Sequence, residues 1–252
     1  MTHSTEDHLT TSYKWKLLDA VIIGAASIVI ILLALIAIGY LSGANQQPIE
    51  ATTKTPYTYV IALTALEGLG LFAGIYLFAI LRRKLSLNDL GLFKTSPGWL
   101  KKAALAAVAM IPVISIVATS IQKILGMPIH NPQLEFLVPE DFSYLSAGVM
   151  LIVAGLIVPL AEELYFRGVL YQALRNQFGV WAGVIASSLV FGFLHGDVSI
   201  AGATFVMGLV LAFFFERSGS IWPSVLIHAL NNSLKLTVIF IMLILGVDLE
   251  GF

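Results

Sequence analysis

The sequence predicts an all-α fold, a polytopic transmembrane helical bundle of about seven to eight spans. Of the 252 residues, 58% are hydrophobic and only 12% are charged, whereas a soluble domain carries roughly a quarter charged residues. Several continuously apolar runs approach or exceed the ~20 residues that a helix needs to cross a bilayer. These runs lack the alternating pattern that is typical of membrane β-barrels. The composition therefore favours a helical bundle in lipid.

Seven apolar runs define the predicted spans. They cover approximately residues 20–42, 58–81, 101–125, 145–172, 179–196, 200–216 and 221–246. The last run could break near Ser233–Lys235, which would add an eighth, short element. The first run exceeds the roughly 7–15 apolar residues of a signal peptide, so we expect it to be retained as a span. Between the second and third runs, residues 85–100 mix polar and apolar side chains, which predicts a short amphipathic element at the interface.

These runs divide the chain into four parts. We expect a cytoplasmic tail (1–19), N-terminal spans with their amphipathic connection (20–144), a transmembrane core with the candidate functional residues (145–246) and a C-terminal tail (247–252). Basic residues precede the first span and follow the second, fourth and sixth, which places these connections in the cytoplasm. With seven spans, the N-terminus would be cytoplasmic and the C-terminus outside, in an inner or plasma membrane.

Net charge and cysteine content exclude some partners and chemistries. The formal net charge of −1 argues against nucleic acid as a partner. The absence of cysteine excludes disulfides, thiolate metal sites and cysteine nucleophiles.

Polar clusters interrupt the apolar runs of the core at three places. They are Glu162, Glu163 and Arg167 in the fourth run, His195 at the end of the fifth, and His228 with Asn232 in the seventh. Ionisable side chains are costly at membrane depth, so each is a functional candidate. Glu163 and Arg167 are four residues apart and would pair on one helix face. Glu162 is rotated by ~100° and is left to face a cavity.

The turn around Asn176–Gly179 predicts which clusters meet. Residues 162 and 195 are equidistant from that turn, so Glu162 and His195 should lie at similar depth on antiparallel helices. Phe191 precedes His195 by one helical turn and would line one side of the site. Glu162 lies ~24 Å from its turn, whereas His228 lies ~15 Å from its own connection. The two residues can meet only if the hairpin formed by the fourth and fifth spans protrudes into the cytoplasm by about two turns.

Glu67 is a separate acidic candidate in the middle of the second run. It adjoins a face of small residues, Gly68, Gly70 and Gly74, which suits close helix packing. The sequence leaves two interpretations open: a second functional acid and a buried hydrogen-bond donor.

Three motifs together carry a family resemblance. They are Glu162-Glu163-x-x-x-Arg167, Phe191-x-x-x-His195 and His228-x-x-x-Asn232, in this order and all in apolar runs. With them, residues 145–235 resemble the CPBP (ABI) family of intramembrane proteases, which includes the type II CAAX prenyl endopeptidases. The resemblance implies an intramembrane endopeptidase whose helices enclose a conical, water-filled cavity that faces the cytoplasm.

The resemblance also implies roles for the motif residues. Glu162 would activate water together with His195. His228 and Asn232 would stabilise the oxyanion. The supporting residues Glu163, Arg167 and Phe191 would maintain the architecture or position the substrate.

Elementary chemistry agrees with these roles but leaves a metal open. Peptide hydrolysis needs an activated water and stabilisation of the charge on the tetrahedral intermediate. Glu162, His195 and His228 could instead hold zinc, since a glutamate with two histidines is a known catalytic ligand set. We favour a reaction that requires no cofactor, because Asn232 suits an oxyanion donor better than a metal ligand.

The expected partners are the lipid bilayer and a membrane-associated or lipidated protein or peptide substrate. Two alternatives without proteolysis remain. One is a membrane scaffold or bacteriocin-immunity protein that regulates a partner. The other is a small carrier in which the acids and histidines relay protons. Glu162→Gln would leave the scaffold's phenotype intact, and a carrier would give substrate flux in liposomes.

Overall fold

The computed structural model describes residues 13–41, 57–139 and 142–247. It is 83% helical, and the part of the chain that it describes contains no strand. The predicted all-α class is therefore confirmed. The predicted tails lie largely outside the described residues, since residues 1–12 and 248–252 are not among them.

Six helices are long and apolar enough to cross a membrane. They cover Leu17–Tyr40, Tyr57–Arg82, Pro97–Leu125, Tyr144–Phe178, Val198–Ser218 and Trp222–Ile244. The fifth predicted span is a shorter apolar helix of 14 residues, Val180–Phe193. At ~21 Å it is shorter than the hydrocarbon core of ~30 Å. The alternative break near Ser233–Lys235 does not occur, because the last helix is continuous through it.

We number the helices in chain order. They are α1 (Leu17–Leu41), α2 (Tyr57–Ile75, continued by the π-helical Tyr76–Arg82), α3 (Pro97–Leu125), α4 (Leu134–Leu137), α5 (Tyr144–Ile152), α6 (Val158–Tyr165), α7 (Gln172–Phe178), α8 (Val180–Phe193), α9 (Val198–Ser218) and α10 (Trp222–Ile244). A 3₁₀ turn, Leu87–Leu90, lies between α2 and α3. We call the end of the bundle at this turn the basic end, since many of the chain's lysines and arginines lie in the connections there.

Helices α5, α6 and α7 form one continuous rod. It has 35 residues and a length of ~50 Å, well beyond the hydrocarbon core. Two π-helical turns, Val153–Ile157 and Phe166–Tyr171, flank α6. The Tyr171 hydroxyl donates to Glu216 near the end of α9, at 2.7 Å. Arg175 on α7 also bonds to Glu216, at 2.9 Å, so α7 lies beside the end of α9, and the protrusion of about two turns stays a prediction.

The middle of the predicted interfacial element packs against the protein, while most of its other residues are exposed or only partly buried. Ser86 and Asp89 form a capping box around the 3₁₀ turn, and both Asp89 and Leu90 are buried. The indole of Trp15 donates to the Asp89 carbonyl at 2.7 Å, and the side-chain amide of Gln172 donates to it at 3.2 Å. Backbone-directed hydrogen bonds thus hold the 3₁₀ turn between the start of α1 and the long rod.

Gly168 makes this docking possible, so Gly168→Ala is expected to destabilise the fold. A Cβ at this position would lie 2.7 Å from the backbone carbonyl oxygen of Leu90. A methyl group forced into a packed site costs about 1–3 kcal/mol. Thermal unfolding in detergent would measure the loss. Gly148→Ala is the matched control because a Cβ there meets nothing within 4 Å, and equal melting temperatures for the two variants would contradict the prediction.

Candidate active site

The centre of the site is a buried ionic cluster between α6 and α10. Glu163 Oε1 accepts a hydrogen bond from Arg167 Nη1 at 2.8 Å, so the predicted i, i+4 pair forms. The same oxygen lies 3.0 Å from Nδ1 of His228. Glu163 and Arg167 are both 0% exposed. Since an ionised carboxylate can only accept, His228 carries a hydrogen on Nδ1 and directs Nε2 elsewhere.

Arg167 has two further contacts that hold its guanidinium in place. Nη2 donates to the Gly208 carbonyl on α9 at 3.3 Å. The guanidinium carbon lies 4.7 Å from the centre of the Phe191 ring, in a cation–π arrangement. Arg167 therefore links the rod to α8 and α9 and neutralises Glu163 at the same time.

Glu162 faces the other side of His228. Its Oε2 lies 3.5 Å from His228 Nε2, and the carboxyl of Glu67 on α2 is close enough to interact with it. Glu162 is only 6% exposed. The separation from Nε2 exceeds the usual N–H···O length, so the contact is mainly electrostatic. The structure thus brings Glu162 beside His228, and the pairing of Glu162 with His195 stays a prediction.

His195 belongs to the same pocket but contacts different atoms. Its Nδ1 lies 2.8 Å from the Phe191 carbonyl oxygen, so Nδ1 carries the hydrogen and Nε2 is a free acceptor. Its ring packs edge-on against the Phe191 ring, with the ring centres 4.9 Å apart. The ring of His228 also packs edge-on against Phe191, at 5.7 Å. Phe191 therefore contacts both imidazole rings.

Pro159 explains where Asn232 lies. Pro159 has no N–H, so the Gly155 carbonyl loses its helical donor. The Val158 N–H bonds five residues back to Val153, which leaves the Ala154 carbonyl without one as well. Two residues of α10 replace these donors. Asn232 Nδ2 donates to the Ala154 oxygen and the Ser233 hydroxyl donates to the Gly155 oxygen, both at 3.3 Å.

Sequence reasoning gave too little weight to two residues. Asn231 is 1% exposed, and its Nδ2 has no hydrogen-bond partner in the described part of the chain. The feature of the sequence that pointed to Asn231 was its spacing of three residues from His228. Glu67 was left between two interpretations, and its carboxyl is close enough to Glu162 to interact with it. Its signal was an acid in the middle of an apolar run.

The arrangement does not fit the zinc set that the sequence allowed. Within residues 13–41, 57–139 and 142–247, no group of three or more His, Cys, Asp or Glu side chains is placed to hold a metal ion. We therefore derive no step through a metal.

Asp197 fixes the loop that carries His195. It caps α9 by accepting from the backbone N–H groups of Ser199 at 2.8 Å and Ile200 at 3.1 Å. The Ser199 hydroxyl also donates to it, and this hydrogen bond is the main reason why the pKa of Asp197 is lowered. The loop between α8 and α9 is therefore tied to the first turn of α9.

Asp197→Ala is expected to destabilise the protein by about 1 kcal/mol at neutral pH, the typical cost of a lost cap. Because the folded-state pKa of Asp197 lies below its unfolded value, the stabilisation is present above the unfolded pKa and is lost as pH falls through the folded one. The gap between wild type and variant should close in acid. Ser96→Ala, which removes a cap that does not titrate, is the control and should keep a constant gap in unfolding titrations across pH.

Comparison with known proteins relates this site to a known family. Residues 144–234 match the family model described as Type II CAAX prenyl endopeptidase Rce1-like. All three motifs fall within the matched segment. Over this segment, the chain is similar to the Rce1-like family. The resemblance inferred from the motifs is thereby confirmed.

One curated relative extends the comparison. Over 85 residues, the chain is 29% identical to the Bacillus subtilis (strain 168) protein named "Putative membrane peptidase YdiL". The alignment covers 34% of this chain and 35% of the relative, so the chain spans about a third of the length of the relative that it matches. No solved structure matches the chain significantly.

Proposed function

We propose that this protein is an intramembrane endopeptidase that hydrolyses a peptide bond in a membrane-associated or lipidated protein or peptide. The observation that carries the proposal is the contact of Glu162 with His228 inside a bundle of apolar helices. Burying a carboxylate beside an imidazole among apolar helices is costly, so such a pair indicates a functional site. The Rce1-like match and the name of the Bacillus relative support peptide hydrolysis as that function.

Glu162 is the general base of the proposed reaction. It takes a proton from a water molecule, whose oxygen attacks the scissile carbonyl carbon. The free Nε2 of His195 accepts the other hydrogen of this water and orients it. When the tetrahedral intermediate collapses, the carbon–nitrogen bond breaks and the proton on Glu162 passes to the leaving amine. Glu162 then returns to its starting state, and no metal or external acid is consumed.

His228 and Asn232 stabilise the oxyanion in this scheme. The carboxylates of Glu163 and Glu162 flank the His228 ring at 3.0 and 3.5 Å, an arrangement that accommodates an imidazolium. Its Nε2–H is then a charged donor for the oxyanion. The Asn232 amide uses one hydrogen for Ala154 and retains a second one.

Glu163, Arg167 and Phe191 are positioning residues. Glu163 holds His228 through Nδ1 and is itself held by Arg167. Phe191 supports both imidazole rings. The site would face the cytoplasm of a cell membrane, since the basic end of the bundle is the end expected there.

The test compares the termini of membrane proteins in host cells that express wild-type protein or Glu162→Gln at equal levels. New termini that occur only with the wild type would establish proteolysis and identify substrates. Identical profiles in a host that contains the natural partners would favour the scaffold alternative. Substrate flux in proteoliposomes without new termini would favour the carrier.

A further inference from the structure

A pocket at the basic end of the bundle, outside the candidate active site, combines two cationic side chains with three aromatic rings. It lies between the start of α3 and the end of α9, two helices that pack side by side. Its volume is about 620 Å³, and its lining residues are Trp99, Lys102, Phe213, Phe214 and Arg217. None of these residues belongs to the three family motifs, so the proposed reaction does not account for the pocket.

The aromatic rings hold the two cations in place. The Lys102 ammonium lies 4.6 Å from the centre of the Trp99 ring, and the guanidinium carbon of Arg217 lies 5.6 Å from the centre of the Phe213 ring. The Trp99 ring packs edge-on against Phe214, with the ring centres 5.8 Å apart. A cation–π contact positions a cation, but the ring carries no net charge. The pocket therefore keeps two positive charges that are already oriented.

These charges are not neutralised by the protein. Among the residues that the structure describes, no acidic side chain pairs with Lys102 or Arg217. Glu216 is next to Arg217 in the sequence, but its oxygens accept from Nε and Nη2 of Arg175 on the rod, at 2.9 and 3.0 Å. An anion can therefore bind in the pocket without displacing an existing ion pair.

The position of the pocket indicates the kind of anion. Trp99 and Lys102 lie in the first two turns of α3, and Arg217 lies in the last turn of α9. Tryptophan and basic side chains at the ends of spans are typical of the level at which headgroups meet the hydrocarbon core. Phe213 lies one turn deeper than Arg217 and is 46% exposed. A free phosphate ion gains nothing from such an apolar wall, whereas a phospholipid can lay its glycerol and upper acyl chains against it.

We propose that this pocket binds the headgroup of an anionic phospholipid. Lys102 and Arg217 bind its phosphate, and the rings of Trp99 and Phe213 contact the apolar part of the lipid. Arginine offers a fork of N–H donors and lysine a compact charge, and both are common phosphate ligands. The basic end is the one expected to face the cytoplasm, where the leaflet carries anionic lipids. The inference does not depend on the proposed proteolysis.

The test measures lipid binding to the full chain, purified in a non-ionic detergent and freed of co-purified lipid, by native mass spectrometry. The probes are dioleoyl phosphatidylglycerol and, as the neutral reference, dioleoyl phosphatidylcholine. Each basic side chain at an anionic lipid surface contributes about 5-fold in affinity. The double variant Lys102→Gln with Arg217→Gln is therefore expected to bind phosphatidylglycerol roughly 25-fold more weakly than the wild type.

The matched control is the double variant Lys101→Gln with Arg82→Gln. It also removes one lysine and one arginine from the basic end, and Arg82 likewise lies over an aromatic ring, that of Phe78 at 5.8 Å. Neither residue lines the pocket. We expect this control to bind phosphatidylglycerol about as tightly as the wild type.

Thermal unfolding gives a second readout and checks the fold. The side chains of Lys102 and Arg217 are exposed, so without lipid both double variants should melt at the wild-type temperature. Added phosphatidylglycerol should raise the Tm of the wild type and of the control, because a ligand that binds the folded state stabilises it. It should raise the Tm of Lys102→Gln with Arg217→Gln much less.

Three results would overturn the proposal. An equal loss of binding in the two double variants would assign the binding to the general charge of the basic end. Equal affinity of the wild type for phosphatidylcholine would remove the anionic headgroup as the ligand. Displacement of phosphatidylglycerol by inorganic phosphate at the same concentration would make the pocket a site for free phosphate rather than for a lipid.

Discussion

Glu162→Gln is expected to lower kcat for peptide hydrolysis by about 10³-fold, within the range of roughly 10²–10⁴ that a general base contributes. Glutamine has nearly the same shape as glutamate and can keep the contact with His228, so the fold should be preserved. It cannot take a proton from water. The measurement is the rate of cleavage by purified protein in detergent or proteoliposomes.

The matched control for this variant is Glu216→Gln. Glu216, near the end of α9, is a partly buried carboxylate outside the candidate site. Its partners are Tyr171 and Arg175 on the rod. We expect this control to cleave at the wild-type rate. Cleavage by a well-folded Glu162→Gln protein at the rate of the control would remove Glu162 as the base.

Arg167→Met is expected to destabilise the protein by about 3–5 kcal/mol, the cost of leaving the partner of a buried ion pair without compensation. Arg167 and Glu163 are both fully buried, so water cannot replace the lost hydrogen bonds. Arg167 also contributes its contact with the Phe191 ring, at 4.7 Å. The free energy of unfolding in mixed micelles would measure the change.

The double variant Glu163→Gln with Arg167→Met tests the reason for this loss. If the uncompensated charge of Glu163 causes most of it, the double variant should regain much of the stability, because a neutral amide remains. A double variant that is less stable than Arg167→Met would contradict this explanation and assign the loss to packing.

The helices and the local pairs follow from the sequence because their determinants are local. Apolar runs of sufficient length predicted the six long helices and the shorter α8, with ends that differ from the predicted ones by a few residues. The exception is the rod, which continues to Phe178 rather than ending near residue 172. The Glu163–Arg167 pair depends only on a four-residue spacing within one helix. The three motifs likewise identified the Rce1-like segment.

The contacts between helices required the tertiary structure. Whether Glu162 meets His195 or His228 depends on the tilt, rotation and axial position of three helices, and counting residues from turns gives only the approximate depth. The π-helical turn caused by Pro159 also shifts the register of the rod and directs Asn232 to the Ala154 carbonyl. Glu67 lies almost a hundred residues from Glu162 in the chain, and only the packing of α2 against the rod at Gly68 brings them close. The sequence by itself therefore determined the spans and the ion pair, because these depend on neighbours along one helix. The tertiary structure decided the partners of Glu162, because those contacts depend on how separate helices pack.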